Sequence, residues 1–166
     1  MLRPGMNFSI FEADPADPAH ARCIISLLDS YASGINGGGQ GLAAAVKQNL
    51  PAALAARPTA HVMVAMDGAE PAGIVISFEG FSTFQCRPLL NIHDVVVAEK
   101  YRGQGLSKRL LAAVEELALR LGCCKLTLEV LEGNTIAQAA YRSLGFDGYQ
   151  LDPSLGKALF WEKKLG

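Results

Sequence analysis

The tetrapeptide Gly-Gln-Gly-Leu occurs twice, as Gly39-Gln40-Gly41-Leu42 and as Gly103-Gln104-Gly105-Leu106, and each copy runs into a stretch of helical composition. The first turn of a helix carries unpaired N–H groups and the positive end of the macrodipole, and glycine lets a ligand come close to the backbone. A glycine-rich entry to a helix can therefore hold phosphate, provided that a rigid strand aims it. The second copy follows the β-rich run LLNIHDVVV (89–97), and Arg102 beside it is a cation able to pair with phosphate. The first copy lies between two helical stretches with no strand to aim it, so the second is the better placed of the two to hold phosphate, with a simple tight turn as the alternative reading. The loop lacks the Lys-Ser/Thr of a P-loop, and no third glycine follows Gly105 before Gly122, which removes the dinucleotide fingerprint.

Other residues on these stretches could move protons. His93 and Asp94 sit within the run that leads to the second loop, and imidazole is the side chain best suited to take a proton near neutral pH. In a regular strand His93 and Val95 share a face and Asp94 points the other way. Tyr141 stands seven residues after Asn134, two helical turns on, so the two share a helix face. Glu129, in LTLEV, is a second candidate base.

The elements that position these groups follow from periodicity. MNFSIFEA alternates like a strand, and His20 to Tyr31 carries apolar residues at helical spacing. Residues 34–41 form a glycine-rich loop; 42–56 is helical, with Pro51 expected to restart the helix. HVMVAM and AGIVISF, separated by the turn 67–71, predict a hairpin. FSTFQCRPLL then reads as a longer connection, and LLNIHDVVV as a strand buried on both faces. Leu106, Leu110, Leu111, Val114, Leu117, Ala118 and Leu121 keep a 3.6-residue period, ended by Gly122. CKLTLEV is a further strand, a helix runs from Gly133-Asn134-Thr135 to Gly145, and 146–149 and 158–162 read as two last strands. Alternating order of this kind means one layered α/β sheet with the later helices as crossovers. No linker or repeat interrupts the chain, so residues 1–166 are expected to form a single domain.

With 166 residues, half of them hydrophobic, the chain can bury a core. Lys and Arg total 15 against 16 Asp and Glu, a balance that gives no reason to expect nucleic-acid or membrane-surface binding. No apolar run approaches the ~20 residues of a membrane span, and the N-terminus lacks the apolar core of a signal peptide. A cytoplasmic location is expected. Cys23, Cys86, Cys123 and Cys124 lack metal-ligand spacing and are expected to be buried reduced thiols, with no metal bound.

The run from 91 to 150 resembles the GCN5-related N-acetyltransferase (GNAT) family. Arg102-Gly103-Gln104-Gly105-Leu106-Ser107 after a strand, and Asn134…Tyr141-Arg142-Ser143-Leu144-Gly145-Phe146 on the next helix, carry the likeness. Ser107 stands where the family has Gly or Ala. The resemblance implies an α/β fold with a mixed sheet of six to seven strands and about four helices. It implies acetyl-CoA as co-substrate, without a metal, and a small-molecule or peptide amine as acceptor. The amides of residues 102–107 would bind the CoA pyrophosphate, with Asn134 in the cofactor-binding set. Backbone groups of Val95 and Val97 would pair with the pantetheine arm, and the Val95 amide would polarise the thioester carbonyl. His93 stands where some members carry a carboxylate base, and Tyr141 would protonate the leaving thiolate. The first two helices and the NGGGQG loop (36–41) would line the acceptor, with Phe78, Phe81 and Phe84 either lining an apolar pocket or filling the core. The alternative is a degenerate sensor that binds acyl-CoA without catalysis. Homodimerisation, through the segment FWEKKL, is left open.

Overall fold

The structure is a computed structural model that describes residues 7–150 and 152–165. Met6, which opens the expected first strand, and the N-terminal residues before it lie outside the described residues. The chain divides into two compact units, one ending at Leu128 and one beginning at Glu129.

The first unit is built on a five-stranded sheet in the order β1-β2-β3-β4-β5. β1 (Ser9–Glu12), β2 (Ala60–Asp67), β3 (Glu70–Ser82) and β4 (Arg87–Val97) pair antiparallel with their neighbours. β5 (Leu126–Leu128) joins β4 in parallel, after the crossover helix α3 (Leu106–Arg120). α1 (Pro18–Ser33) starts at Asp17, whose carboxylate accepts from the amides of Ala19 and His20 at 2.8 and 3.0 Å, with Pro18 at the first helical position. α2 (Ala44–Ala55) follows the glycine loop.

The two sheet faces have different covers. Val62 and Val64 of β2, Ile74 and Ile76 of β3 and Val96 of β4 form one core with Ile24, Leu27 and Leu28 of α1 and Leu54 of α2. Fully burying each such side chain is worth about 1.5–3 kcal/mol. α3 lies on the opposite face. A Cβ on Gly73 would come within 2.9 Å of Leu110 Cδ1 and 3.0 Å of the Val96 carbonyl oxygen, so glycine is what lets this helix sit so close to the sheet. Gly122, at φ 72°, ends the helix in the left-handed conformation, as its place after the periodic run predicted.

Four expectations are corrected. α2 runs through Pro51 without restarting: proline removes one backbone bond, but alanines on both sides favour the helix strongly enough to carry it. The connection after AGIVISF is a tight hairpin, because Ser82 pairs with Arg87 and only four residues turn the chain, Cys86 at φ 49° among them. β4 is not buried on both faces: Leu90, Ile92 and Val96 are buried while His93 is exposed. The cysteines are free, as expected, but only Cys123 is buried and Cys86 is exposed.

Among the described residues the second unit holds one α-helix, α4 (Thr135–Arg142). The described residues contain five strands, not six or seven, because 146–149 and 158–162 form none. The Ala158 amide donates to the Tyr149 carbonyl at 3.1 Å and joins the two segments. Pro153 and Gly156 lie in the stretch between, and Asp152 caps a 3-10 turn, Pro153–Leu155, in place of a ladder.

Candidate active site

The centre of β4 is irregular. Ile76 pairs with Asp94 and Ser77 with Ile92, so His93 is an extra residue opposite no partner of its own. A bulge of this kind slips the side-chain alternation by one. Downstream, Val95 and Val97 lie opposite Val75 and Gly73, on the α3 face. Asp94 lies opposite Ile76, on the α1 face. The His93 ring packs edge-on against Phe78 of that same face, with centroids 5.7 Å apart, and its Nδ1 lies 3.3 Å from Asp94 Oδ2. The expectation of a shared face for His93 and Val95, with Asp94 opposed, is therefore reversed. Alternation predicts faces only while the register holds.

The bulge also marks the end of the β4–β5 ladder, whose pairs are Leu90–Leu126, Asn91–Thr127 and Ile92–Leu128. Beyond it, Asp94–Val97 have β3 as their one strand partner among the described residues. Alternate residues of such a strand turn their N–H and C=O groups toward the unpaired edge. At Val97 the carbonyl accepts from Arg102 Nε at 3.2 Å.

Tyr101 anchors the loop that follows. Its ring is buried against the edge of Phe8, and its hydroxyl lies 3.0 Å from Asp67 Oδ2 and 2.9 Å from Glu70 Oε2. Burial pushes the Tyr101 hydroxyl up, and the Lys100 ammonium paired with Glu70 holds that carboxyl below its usual range. From this fixed point the chain turns through Gly103 and Gly105, at φ 73° and 74°, into α3. Leu106 and Leu110 are fully buried and seat the first turn. No side chain caps it, and among the described residues no acceptor meets the amides of 103–108. Arg102, Gly103, Gln104 and Gly105 are exposed and Ser107 is half-buried, so the loop that carries these amides lies at the surface beside Arg102. The arrangement can hold an anion.

The first Gly-Gln-Gly-Leu differs. Leu42 N–H donates to Asp29 Oδ1 at 2.8 Å, and Lys47 Nζ lies 2.6 Å from Asp29 Oδ2. Lys47 and the Leu42 amide hold the Asp29 carboxyl below its usual range. This loop already holds an anion, and the anion is the protein's own.

In the second unit Asn134 Oδ1 accepts from the Ala137 amide at 3.1 Å and so caps α4, and Tyr141 on the last turn meets Phe146 edge to face with centroids 6.0 Å apart. Glu129 is exposed and lies just past the end of β5. Of the three phenylalanines, Phe78 packs on the α1 core, while Phe81 and Phe84 are exposed.

One cluster was not read from the sequence. His61 of β2 lies between Glu12 of β1 and Glu79 of β3, with Nδ1 and Nε2 each 2.8 Å from a carboxylate oxygen. Burial alone would push its pKa down, but the two carboxylates outweigh it and raise the value. A lone histidine opening an apolar strand was the one available signal.

The family model described as "Acetyltransferase (GNAT) family" matches residues 38–146, more than half of the chain. A thialysine N-epsilon-acetyltransferase of Bos taurus is 36% identical over 73 residues, 44% of this chain and 42% of that protein. An L-ornithine N5-acetyltransferase of Arabidopsis thaliana is 32% identical over 91 residues, 53% of this chain and 40% of that protein. The matched stretches thus span less than half the length of these relatives. The structure of AAC(6')-Iy in complex with the bisubstrate analog CoA-S-monomethyl-acetylneamine superposes with a TM-score of 0.74 at 17% identity, covering 96% of this chain and 99% of that one, and so shares the fold.

Proposed function

The chain belongs to the acetyltransferase (GNAT) family, and from that premise we propose that it moves an acetyl group from acetyl-CoA to a primary amine of a small molecule. The observation that carries this reading is the second glycine loop, where unmet amides at the start of α3 stand beside Arg102 and follow directly on the open edge of β4. The Arg102 amide already donates to the Glu99 carbonyl at 3.2 Å, so the amides of Gly103, Gln104, Gly105, Leu106 and Ser107 take the pyrophosphate of CoA beside the Arg102 guanidinium, and the helix dipole adds to their attraction. The amides of Val95 and Val97 serve the pantetheine arm. The Val95 amide also donates to the thioester oxygen as negative charge develops there.

The acceptor nitrogen attacks the carbonyl carbon, the C–S bond breaks, and CoA leaves as a thiolate. His93 takes the proton from nitrogen, and Tyr141, on the strength of its Asn134…Tyr141…Gly145-Phe146 motif, returns one to sulfur. The α1 face presents His93 and Asp94 together, which favours a cationic amine. The relatives named for thialysine and ornithine, both small amino acids with a side-chain amine, support the same class.

The test is calorimetric titration with acetyl-CoA, followed by assay of CoA thiol release across a panel of diamines, basic amino acids and aminoglycosides. Binding and release with a small cationic amine are the expected results. Acetyl-CoA at 100 times its Kd should also raise unfolding stability by about 2.7 kcal/mol. Absence of acetyl-CoA binding would overturn the reading; binding without release on any amine would point to the sensor.

A further inference from the structure

The bulge at His93 brings side by side two residues that a regular strand would hold on opposite faces. It is this irregularity that lets His93 Nδ1 approach Asp94 Oδ2 to 3.3 Å. Phe78, edge-on at 5.7 Å and 87°, limits how far the imidazole can swing. We propose that Asp94 is a positioning residue: its carboxylate holds the proton of His93 on Nδ1, so that Nε2 carries the lone pair presented to the acceptor amine. This rests on His93 being the base of the acetyl transfer.

A neutral imidazole carries its proton on one nitrogen only, and the hydrogen-bond partner of the other decides which. A carboxylate can only accept, so the contact requires Nδ1–H. Nε2 is then the basic atom, pointing away from Asp94. In the transfer it takes the proton from the attacking nitrogen, and the imidazolium that forms keeps its Nδ1–H bond to the Asp94 carboxylate. With Asp94 removed, the ring is free to place its proton on Nε2 and present Nδ1 instead, which lies closer to the strand backbone.

The experiment reads the tautomer directly, apart from turnover. Protein labelled with 15N in histidine is examined by long-range 1H–15N correlation at alkaline pH, with His93→Gln used to assign the signal. The expected result is an Nδ1–H pattern in the wild type, an Nε2–H pattern in Asp94→Ala, and return of the first pattern in Asp94→Glu. Turnover of Asp94→Ala should fall at least about tenfold with acetyl-CoA affinity unchanged, since base catalysis is worth about 10²–10⁴ and is here impaired and not removed. Unchanged acetyl-CoA binding also reports that the variant is folded. An Nε2–H wild type, or a tautomer indifferent to Asp94→Ala, would overturn the proposal. A tautomer that switches while turnover does not would overturn the role in transfer. Full activity in His93→Gln would overturn the base assignment itself, while the tautomer spectra would still report the contact.

Discussion

The same four residues, Gly-Gln-Gly-Leu, precede α2 and α3, yet only the first copy is met by a carboxylate of the protein's own. Before α2, Asp29 from the preceding helix reaches the Leu42 amide and is itself held by Lys47. Before α3, the loop is fixed from behind by Tyr101 and Leu106, and its amides meet no acceptor among the described residues. A glycine-rich helix start therefore does not by itself leave a place open for an outside anion. What decides is whether the fold supplies its own carboxylate, and that comes from residues distant in sequence.

The sharpest way to test the contrast is a paired substitution. Gly105 sits at φ 74°, where a β-branched side chain is strained by about 1–3 kcal/mol and shifts the backbone that aims the amides. Gly105→Val should weaken acetyl-CoA binding at least about a hundredfold, read by calorimetry, which corresponds to about 2.7 kcal/mol. Gly41→Ala, whose Cβ would lie 2.8 Å from Asp29 Oδ1, should lower the melting temperature and leave acetyl-CoA binding unchanged. Equal loss of binding in both would mean that the two loops do not differ as described.

A second substitution asks whether the α3 loop depends on how its helix is seated. Gly73→Ala places a methyl group 2.9 Å from Leu110 Cδ1 and 3.0 Å from the Val96 carbonyl. Overpacking of this kind costs about 1–3 kcal/mol. The expected outcome is a lower denaturation midpoint and a severalfold weaker affinity for acetyl-CoA, with α2 and its loop unaffected. A change in stability with affinity intact would mean that the loop holds its shape without the close approach.

Much of this contrast was legible in the sequence, and the illegible part has a physical cause. The 3.6-residue period through Leu121 and the glycine after it located α3, because both signals are local. The choice of the second loop rested on the strand that aims it, and the structure supplies that strand. The bulge at His93 could not be read, because it is a mismatch in register between β3 and β4 and exists only when the two are paired. The hold of Asp29 on Leu42, and of Glu12 and Glu79 on His61, likewise join residues far apart in the chain. The two last strands failed for the opposite reason: local composition favoured them, but the described residues form no ladder there.

Acid should separate the loops by chemistry. The folded-state pKa of Asp29 is depressed, so its contribution to stability is complete above the ordinary carboxylate value of 3.8 and is lost as pH falls through the lower folded value. The Asp29→Asn variant should therefore lose less stability than the wild type between pH 5 and pH 2, measured as the difference in melting temperature, while Gly105→Val should follow the wild type.

The smallest effect expected is one that leaves the contrast alone. His61, between Glu12 and Glu79, has a raised pKa, so the sign is opposite to that of Asp29: its contribution is complete below the ordinary value of 6.5 and is lost as pH rises through the raised folded value. His61→Gln keeps a polar group between the carboxylates and cannot titrate. Its melting temperature should vary less than that of the wild type across neutral and mildly alkaline pH, and the variants of the two loops should keep the wild-type dependence. Because His61 ties β1, β2 and β3 and touches neither glycine loop, its substitution should leave the affinity for acetyl-CoA as it was. A change in affinity would mean that the charge cluster on the sheet is coupled to the α3 loop, and that the two loops differ in more than the presence of Asp29.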